Sequence, residues 1–213
     1  NEGITVKPFY HKDEEIKDVQ VSNQSWKICQ LIEVADVKKA NSSARNAIAK
    51  GAEAIFFQIN DVIAIDELLE GISDTVEIQF QFKKADKKMI RDALSLNKNS
   101  FINLDIIGNL AKDGNWFTSL KDDHELLEEL VKNNPDGNII SINTDLYQNA
   151  GANMVQQLAY AMAHLNEYLN HLNNAGLLHQ QININFKVAV GSNYFFEIAK
   201  LRALKLLWKT LAA

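Results

Sequence analysis

Asp145, Leu146, Tyr147 and Gln148 follow directly on Asn138 to Thr144, NIISINT, a β-rich run with no breaker inside it. The carboxyl end of such a strand is where a barrel or an open parallel sheet presents its chemistry. A carboxylate, a phenol and an amide at that point make a candidate strand-end pocket: Asp145, Tyr147 and Gln148. Asp145 has a competing role as the N-terminal cap or Asx-turn that starts the next helix. His164, Glu167 and His171 recur at three and four residues along one helix, a spacing that metal ligands use. No further ligand accompanies them, and a solvated helix face is the preferred reading. Asp122-Asp123-His124 contains an aspartate and a histidine close together, but acids there also suit the positive end of a helix dipole, so a helix start is preferred. Cys29 is the single cysteine, lies in an apolar stretch and is read as a small core residue in a reducing compartment. No GxSxG elbow is present, and no GxGxxG or GxxxxGK[ST] follows a strand. Trp26, Trp116 and Trp208 lack basic neighbours and are read as packing residues.

The elements that must position these groups alternate strand and helix. Strands are expected at Trp26 to Ile32, Ala54 to Ile59, Val76 to Phe82, Phe101 to Ile107, Asn138 to Thr144 and Ile182 to Val190. Helices are expected at Asp36 to Lys50, Ile65 to Glu70, Asp86 to Leu96 and Asp122 to Lys132. After strand five comes a long amphipathic helix whose apolar face carries Val155, Leu158, Ala159, Met162, Leu165, Leu169 and Leu172, and the last helix spans Tyr194 to Thr210. Six strand-helix units imply a parallel sheet covered by helices. The expected fold is α/β, a (β/α)8 TIM-barrel-like domain truncated to about six βα units, over residues 26–213 after a lead-in segment, 1–25. The final helix is apolar on more than one side, which suggests an incomplete domain. The edges at Trp26 to Ile32 and Ile182 to Val190 would then lie unpaired and invite self-association.

With 213 residues, two prolines and 46% hydrophobic residues, the chain can bury a full core. A net charge of −5 with interspersed signs offers no basic stripe, which argues against nucleic acid and against an anionic membrane. No apolar run approaches the roughly 20 residues of a membrane span, and the amino end has no apolar signal core. A cytoplasmic protein is expected.

Three blocks carry a family resemblance: Tyr147-Gln148-Asn149-Ala150-Gly151-Ala152, Gln157-Leu158-Ala159-Tyr160-Ala161 and Phe195-Phe196-Glu197-Ile198-Ala199-Lys200-Leu201-Arg202-Ala203. Over these, Gly191-Ser192-Asn193 and Leu207-Trp208, the chain resembles the acyl-CoA-binding barrel of the methylmalonyl-CoA mutase family. Gly3-Ile4-Thr5-Val6-Lys7-Pro8 with Tyr10 resembles the segment that leads into that barrel. The resemblance implies an adenosylcobalamin-dependent isomerase interconverting methylmalonyl-CoA and succinyl-CoA by radical rearrangement, with the corrin held by a separate domain. Where catalytic chains of the family carry a tyrosine-histidine pair, this chain has Asp145 and Leu146. A leucine cannot hydrogen-bond a thioester carbonyl, and an ionised aspartate offers only acceptors. The family's early Arg-Gln-Tyr corresponds to Cys29-Gln30-Leu31, and its cobalamin-ligating Asp-x-His-x-x-Gly is absent.

The resemblance therefore implies the small, non-catalytic subunit of a heterodimeric mutase. In that role the chain binds no cofactor itself, lacks the cobalamin-binding domain, and packs against the large catalytic subunit, whose complex uses adenosylcobalamin. Two alternatives stand beside this one: a degenerate barrel binding an acyl-CoA as a regulatory ligand, and a barrel isomerase or lyase using Asp145, Tyr147 or Gln148.

Overall fold

The computed structural model describes residues 3–9, 11, 25–97, 99–178 and 182–211; Tyr10 and most of the lead-in fall outside them. Six strands run β1 Cys29–Val34, β2 Ala54–Ile59, β3 Glu77–Phe82, β4 Ser100–Leu104, β5 Asn138–Asn143 and β6 Ile184–Lys187. Between and after them come α1 Val37–Ala49, α2 Ile65–Leu69, α3 Lys87–Leu96, α4 Ile106–Asp113, α5 Leu120–Asn133, α6 Asp145–Asn149, α7 Met154–Asn174 and α8 Tyr194–Leu211. Every pairing is parallel and the strands lie side by side in chain order, β1 to β6. A doubly wound sheet reverses its order at a switch point. Sequential order without reversal puts all the right-handed crossovers on one side, as in a barrel. The expected truncated-barrel architecture is what the chain forms, with β1 and β6 as edges among the described residues.

The two sides of the sheet differ in chemistry. In β3, buried Ile78, Phe80 and Phe82 alternate with half-buried Glu77, Gln79 and Gln81. Register carries the alternation across strands: Ile55, Phe57 and Ile59 of β2 lie beside Ile78, Phe80 and Phe82, while Gln58 lies beside Gln81. The apolar side meets the helices, where Ile65, Leu68, Ile90, Leu127, Leu165 and Leu172 close over it. Each such side chain contributes on the order of 1.5–3 kcal/mol by leaving water. The opposite side carries amides and charges, unlike the branched apolar filling usual in a barrel interior.

Local signals explain most boundaries. Asp36 caps α1 by accepting from the Lys39 N–H at 2.8 Å, and Asp86 caps α3 by accepting from Met89 at 2.8 Å. Asn153 and Gln156 form a reciprocal capping box at the start of α7. Ser119 caps α5 through the Asp122 N–H at 3.1 Å, so Asp122-Asp123-His124 does stand at a helix start.

Four expectations need correction. Strand four stops at Leu104, short of the expected Ile107, because Asp105 turns its carboxylate onto the Gly108 N–H and opens α4. The edge strands differ from expectation: β1 is displaced to Cys29–Val34, and β6, with one neighbour to pair with, spans only Ile184–Lys187. Trp26 is 81% exposed and Cys29 is exposed, so neither packs in the core. Partial burial, with Glu77 nearby, raises the Cys29 thiol above its ordinary value.

Candidate functional site

A cleft of about 620 Å³ opens at the carboxyl ends of the strands. Gln58, Gln81, Asn103 and Asn143 reach it from β2, β3, β4 and β5, and Lys187 from β6. Asp105, Asp145 and Leu146 complete its inner wall. The volume lies within the roughly 300–1,000 Å³ of small-molecule sites. The Asn103 side-chain nitrogen is buried there without a hydrogen-bond partner, a costly state that a bound acceptor would relieve.

The strand-end set separates on inspection. Asp145 lines the cleft, and its carboxylate sits 3.1 Å from the Lys187 ammonium. Thr144, not Asp145, occupies the cap position of α6, so the capping role does not hold. Leu146 also faces the cleft. Tyr147 and Gln148 are not among the residues lining the cleft. The Tyr147 hydroxyl meets His164 Nδ1 at 3.1 Å, and the Gln148 side-chain oxygen accepts from Lys200 at 3.1 Å.

Behind the cleft wall lies a buried polar network that the sequence reading missed. Asp105, 3% exposed, accepts from four donors: the Gly108 N–H, the Tyr168 hydroxyl and His164 Nε2 on one oxygen, and the Asn143 N–H on the other. In a neutral imidazole, giving Nε2–H to the carboxylate at 2.8 Å leaves Nδ1 to accept from the Tyr147 hydroxyl. His164 is 3% exposed, which overturns its reading as part of a solvated face. Its signal lay in the pattern, three residues after buried Ala161 and four before buried Tyr168. His171 Nε2 instead lies 2.9 Å from a Glu128 carboxylate oxygen while His164 is bonded to Asp105, so the three-and-four spacing does not turn these side chains onto a common point. Among the described residues no three His, Cys, Asp or Glu side chains could hold a metal ion. Burial, and secondarily the Asp105 charge, raises the Tyr147 phenol above its ordinary value and the Tyr168 phenol well above it.

A second network ties the β6–α8 connection to the strand-five rim. Buried Lys200 donates to Gln148, Gln157 and the Ala189 carbonyl, and pairs with Glu197 at 2.6 Å. Glu197 in turn accepts from the Gly191 N–H at 2.9 Å. Two sequence blocks that seemed separate, Tyr147 to Ala152 and Phe195 to Ala203, thus meet in one cluster.

A parallel, sequentially wound sheet with an amide-lined cleft at its strand ends defines a barrel-type α/β protein. The model of the methylmalonyl-CoA mutase family matches residues 90–213, and the chain belongs to that family. It is similar to the methylmalonyl-CoA mutase small subunit of Porphyromonas gingivalis, 29% identical over 98% of this chain and 39% of that protein. It is also similar to the small subunit from Propionibacterium freudenreichii subsp. shermanii, 28% identical over 86% of this chain and 31% of the relative. A large subunit from Streptomyces virginiae is 43% identical, but over 36% of this chain and 11% of its own length. The chain spans about two fifths or less of the length of these curated relatives.

Cobalamin dependence belongs to the family in general. The donor set at this cleft does not fit a corrin's axial ligation, because no imidazole lines it and His164 spends both ring nitrogens on Asp105 and Tyr147. Among the described residues no helix is long and apolar enough to cross a membrane.

Proposed function

We propose that this chain acts as a small-subunit-type partner in an adenosylcobalamin-dependent methylmalonyl-CoA mutase, supporting a large catalytic subunit without performing the rearrangement. The observation that carries this reading is the strand-five rim. Asp145 is engaged by Lys187 and Leu146 presents hydrocarbon, while the phenol and imidazole nearby are turned onto each other outside the lining of the cleft. The match to small subunits along most of the chain supports the same role. A cytoplasmic location and the division into a 1–25 lead-in and a 26–213 barrel domain accompany the proposal. Self-association through the β1 and β6 edges is a further part of it.

The test is turnover of methylmalonyl-CoA by the isolated chain with adenosylcobalamin added. No turnover is expected, whereas co-purification with the large subunit in a stoichiometric complex is; measurable turnover by the chain alone overturns the reading. Light scattering checks self-association, and a clean monomer removes that part.

One observation favours a second reading. The cleft and the unpartnered Asn103 amide suit an acyl thioester held as a regulatory ligand. Calorimetric titration with an acyl-CoA separates the two, since saturable heat supports the second. Isomerase or lyase chemistry from Asp145, Tyr147 or Gln148 has less support, because each of the three is engaged by a partner.

A further inference from the structure

Gln58, Gln81, Asn103 and Asn143 reach the strand-end cleft from four successive strands. Gln58 and Gln81 are register partners, and Gln81 and Asn103 stand one residue past the paired Phe80 and Ile102. Neighbouring strands lie roughly 4.8 Å apart, so the amides form a row across the inner wall. Little of their hydrogen-bonding capacity is spent. Among the described residues Gln58 and Gln81 have no side-chain hydrogen bond, and Asn143 uses only its oxygen, which accepts from Ser141 Oγ at 3.2 Å. Asn103 is 7% exposed, and its side-chain nitrogen has no partner. We propose that this row binds a small neutral polyhydroxylated ligand, a monosaccharide or a polyol of that size.

Charge and polarity select that class. The inner wall holds two carboxylates, Asp105 and Asp145, and one cation, Lys187, which is paired with Asp145 at 3.1 Å. Lys83 and Lys112 also line the cleft, but both are exposed. An anionic ligand would therefore enter beside an excess of negative charge, with no free ammonium at that depth. A cationic ligand would find both carboxylates engaged, and Asn103 would offer it a donor where it needs an acceptor. An acyl tail would meet amides where sites for such groups are mainly apolar. A hydroxyl donates and accepts, as a side-chain amide does at its two ends, so hydroxyls on neighbouring carbons can satisfy a row of amides while theirs are satisfied in turn. Phe117 and Leu146 supply apolar wall for the C–H face of such a ligand.

Asn103 also separates binding from folding. A buried amide donor without a partner costs stability, and hydrocarbon of similar size in its place removes that cost. The amide at this position is thus a binding group and not a fastening of the fold.

The test is saturation-transfer NMR on the full chain with D-glucose, D-ribose, myo-inositol and sorbitol, run beside succinate and acetyl-CoA. Transfer is expected from at least one of the polyols and from neither the acid nor the thioester. Asn103→Leu should weaken that binding about tenfold, the worth of one hydrogen bond, while its urea midpoint stays at or above the wild-type value. Gln81→Met, on the neighbouring strand, should weaken it as well. Absence of transfer from all the polyols overturns the proposal, as does polyol binding that Asn103→Leu leaves unchanged. Transfer from succinate or acetyl-CoA that Asn103→Leu abolishes also overturns it, because the cleft would then take an anion. A lowered urea midpoint in Asn103→Leu does the same, since the amide would then have a partner inside the fold. None of these readouts depends on mutase turnover or on co-purification with a large subunit, so the ligand and the subunit role fail separately.

Discussion

The Lys187 ammonium on β6 stands 5.4 Å from the centroid of the Phe56 ring on β2. Four strand spacings separate those strands in the sheet, which in a flat sheet would be roughly 19 Å. The sheet is therefore rolled far toward a cylinder, and Lys187 spans its interior while also pairing with Asp145. Lys187→Met keeps the stem and removes both contacts. The variant should lose about 1 kcal/mol, the usual worth of a half-exposed ion pair with a cation-π contact. Urea denaturation reads this directly, and an unchanged midpoint would mean that the roll is held by the helices alone.

Asp105→Asn should be among the most damaging single changes. An amide presents one acceptor and one donor where four donors converge, which leaves buried N–H or O–H groups unpaired at a cost of about 3 kcal/mol. Gly108→Ala attacks the same point by volume, because an added Cβ would meet the Asp105 side chain at 2.2 Å. Overpacking of that kind costs about 1–3 kcal/mol. Equilibrium unfolding checks both, and a wild-type midpoint in either would contradict the hub role of Asp105.

Lys200→Met removes one member of a buried pair and should cost about 3–5 kcal/mol, because Glu197 is left as an uncompensated buried charge. Adding Glu197→Gln should recover much of that loss, since Gln keeps the acceptor for Gly191 and no longer needs a cation. A double-mutant cycle with additive losses would show that the pair is not coupled.

Alkaline pH should weaken the fold through Tyr168. Burial, then the Asp105 charge, holds its folded pKa well above the ordinary 10.0. A raised folded value means that the folded chain keeps its proton after the unfolded chain has lost its own. The stabilisation is thus fully present below pH 10.0 and falls away as pH rises from there toward the folded value. Tyr147 shifts in the same direction. Urea midpoints at stepped pH should decline more steeply in wild type than in Tyr168→Phe; parallel declines would refute the assignment.

Much of the scaffold could be read from residue order. The Ala54–Ile59 strand, the Asp36 and Asp86 caps and the six-unit count follow from periodicity and capping chemistry. The candidate site was less legible, because its centre depends on distant contacts. Asp105 falls inside the run Phe101 to Ile107 expected as strand four, although aspartate is among the residue types that favour a helix N-cap, the position it occupies before α4. No local signal joins Asp105 to Tyr168, 63 residues away, or Gln148 to Lys200, 52 residues away. Only the rolled sheet brings them together.

The short helix α6 is fastened by Asp145 to β6, by Tyr147 to α7 and by Gln148 to α8, whereas Leu146 between them makes no such bond. Of the two cleft-lining residues on this turn, Asp145 is thus a fastening and Leu146 is not. The residue at Leu146 can therefore be exchanged without opening the seam around it, so the shape of the rim and the chemistry offered at its mouth can vary independently.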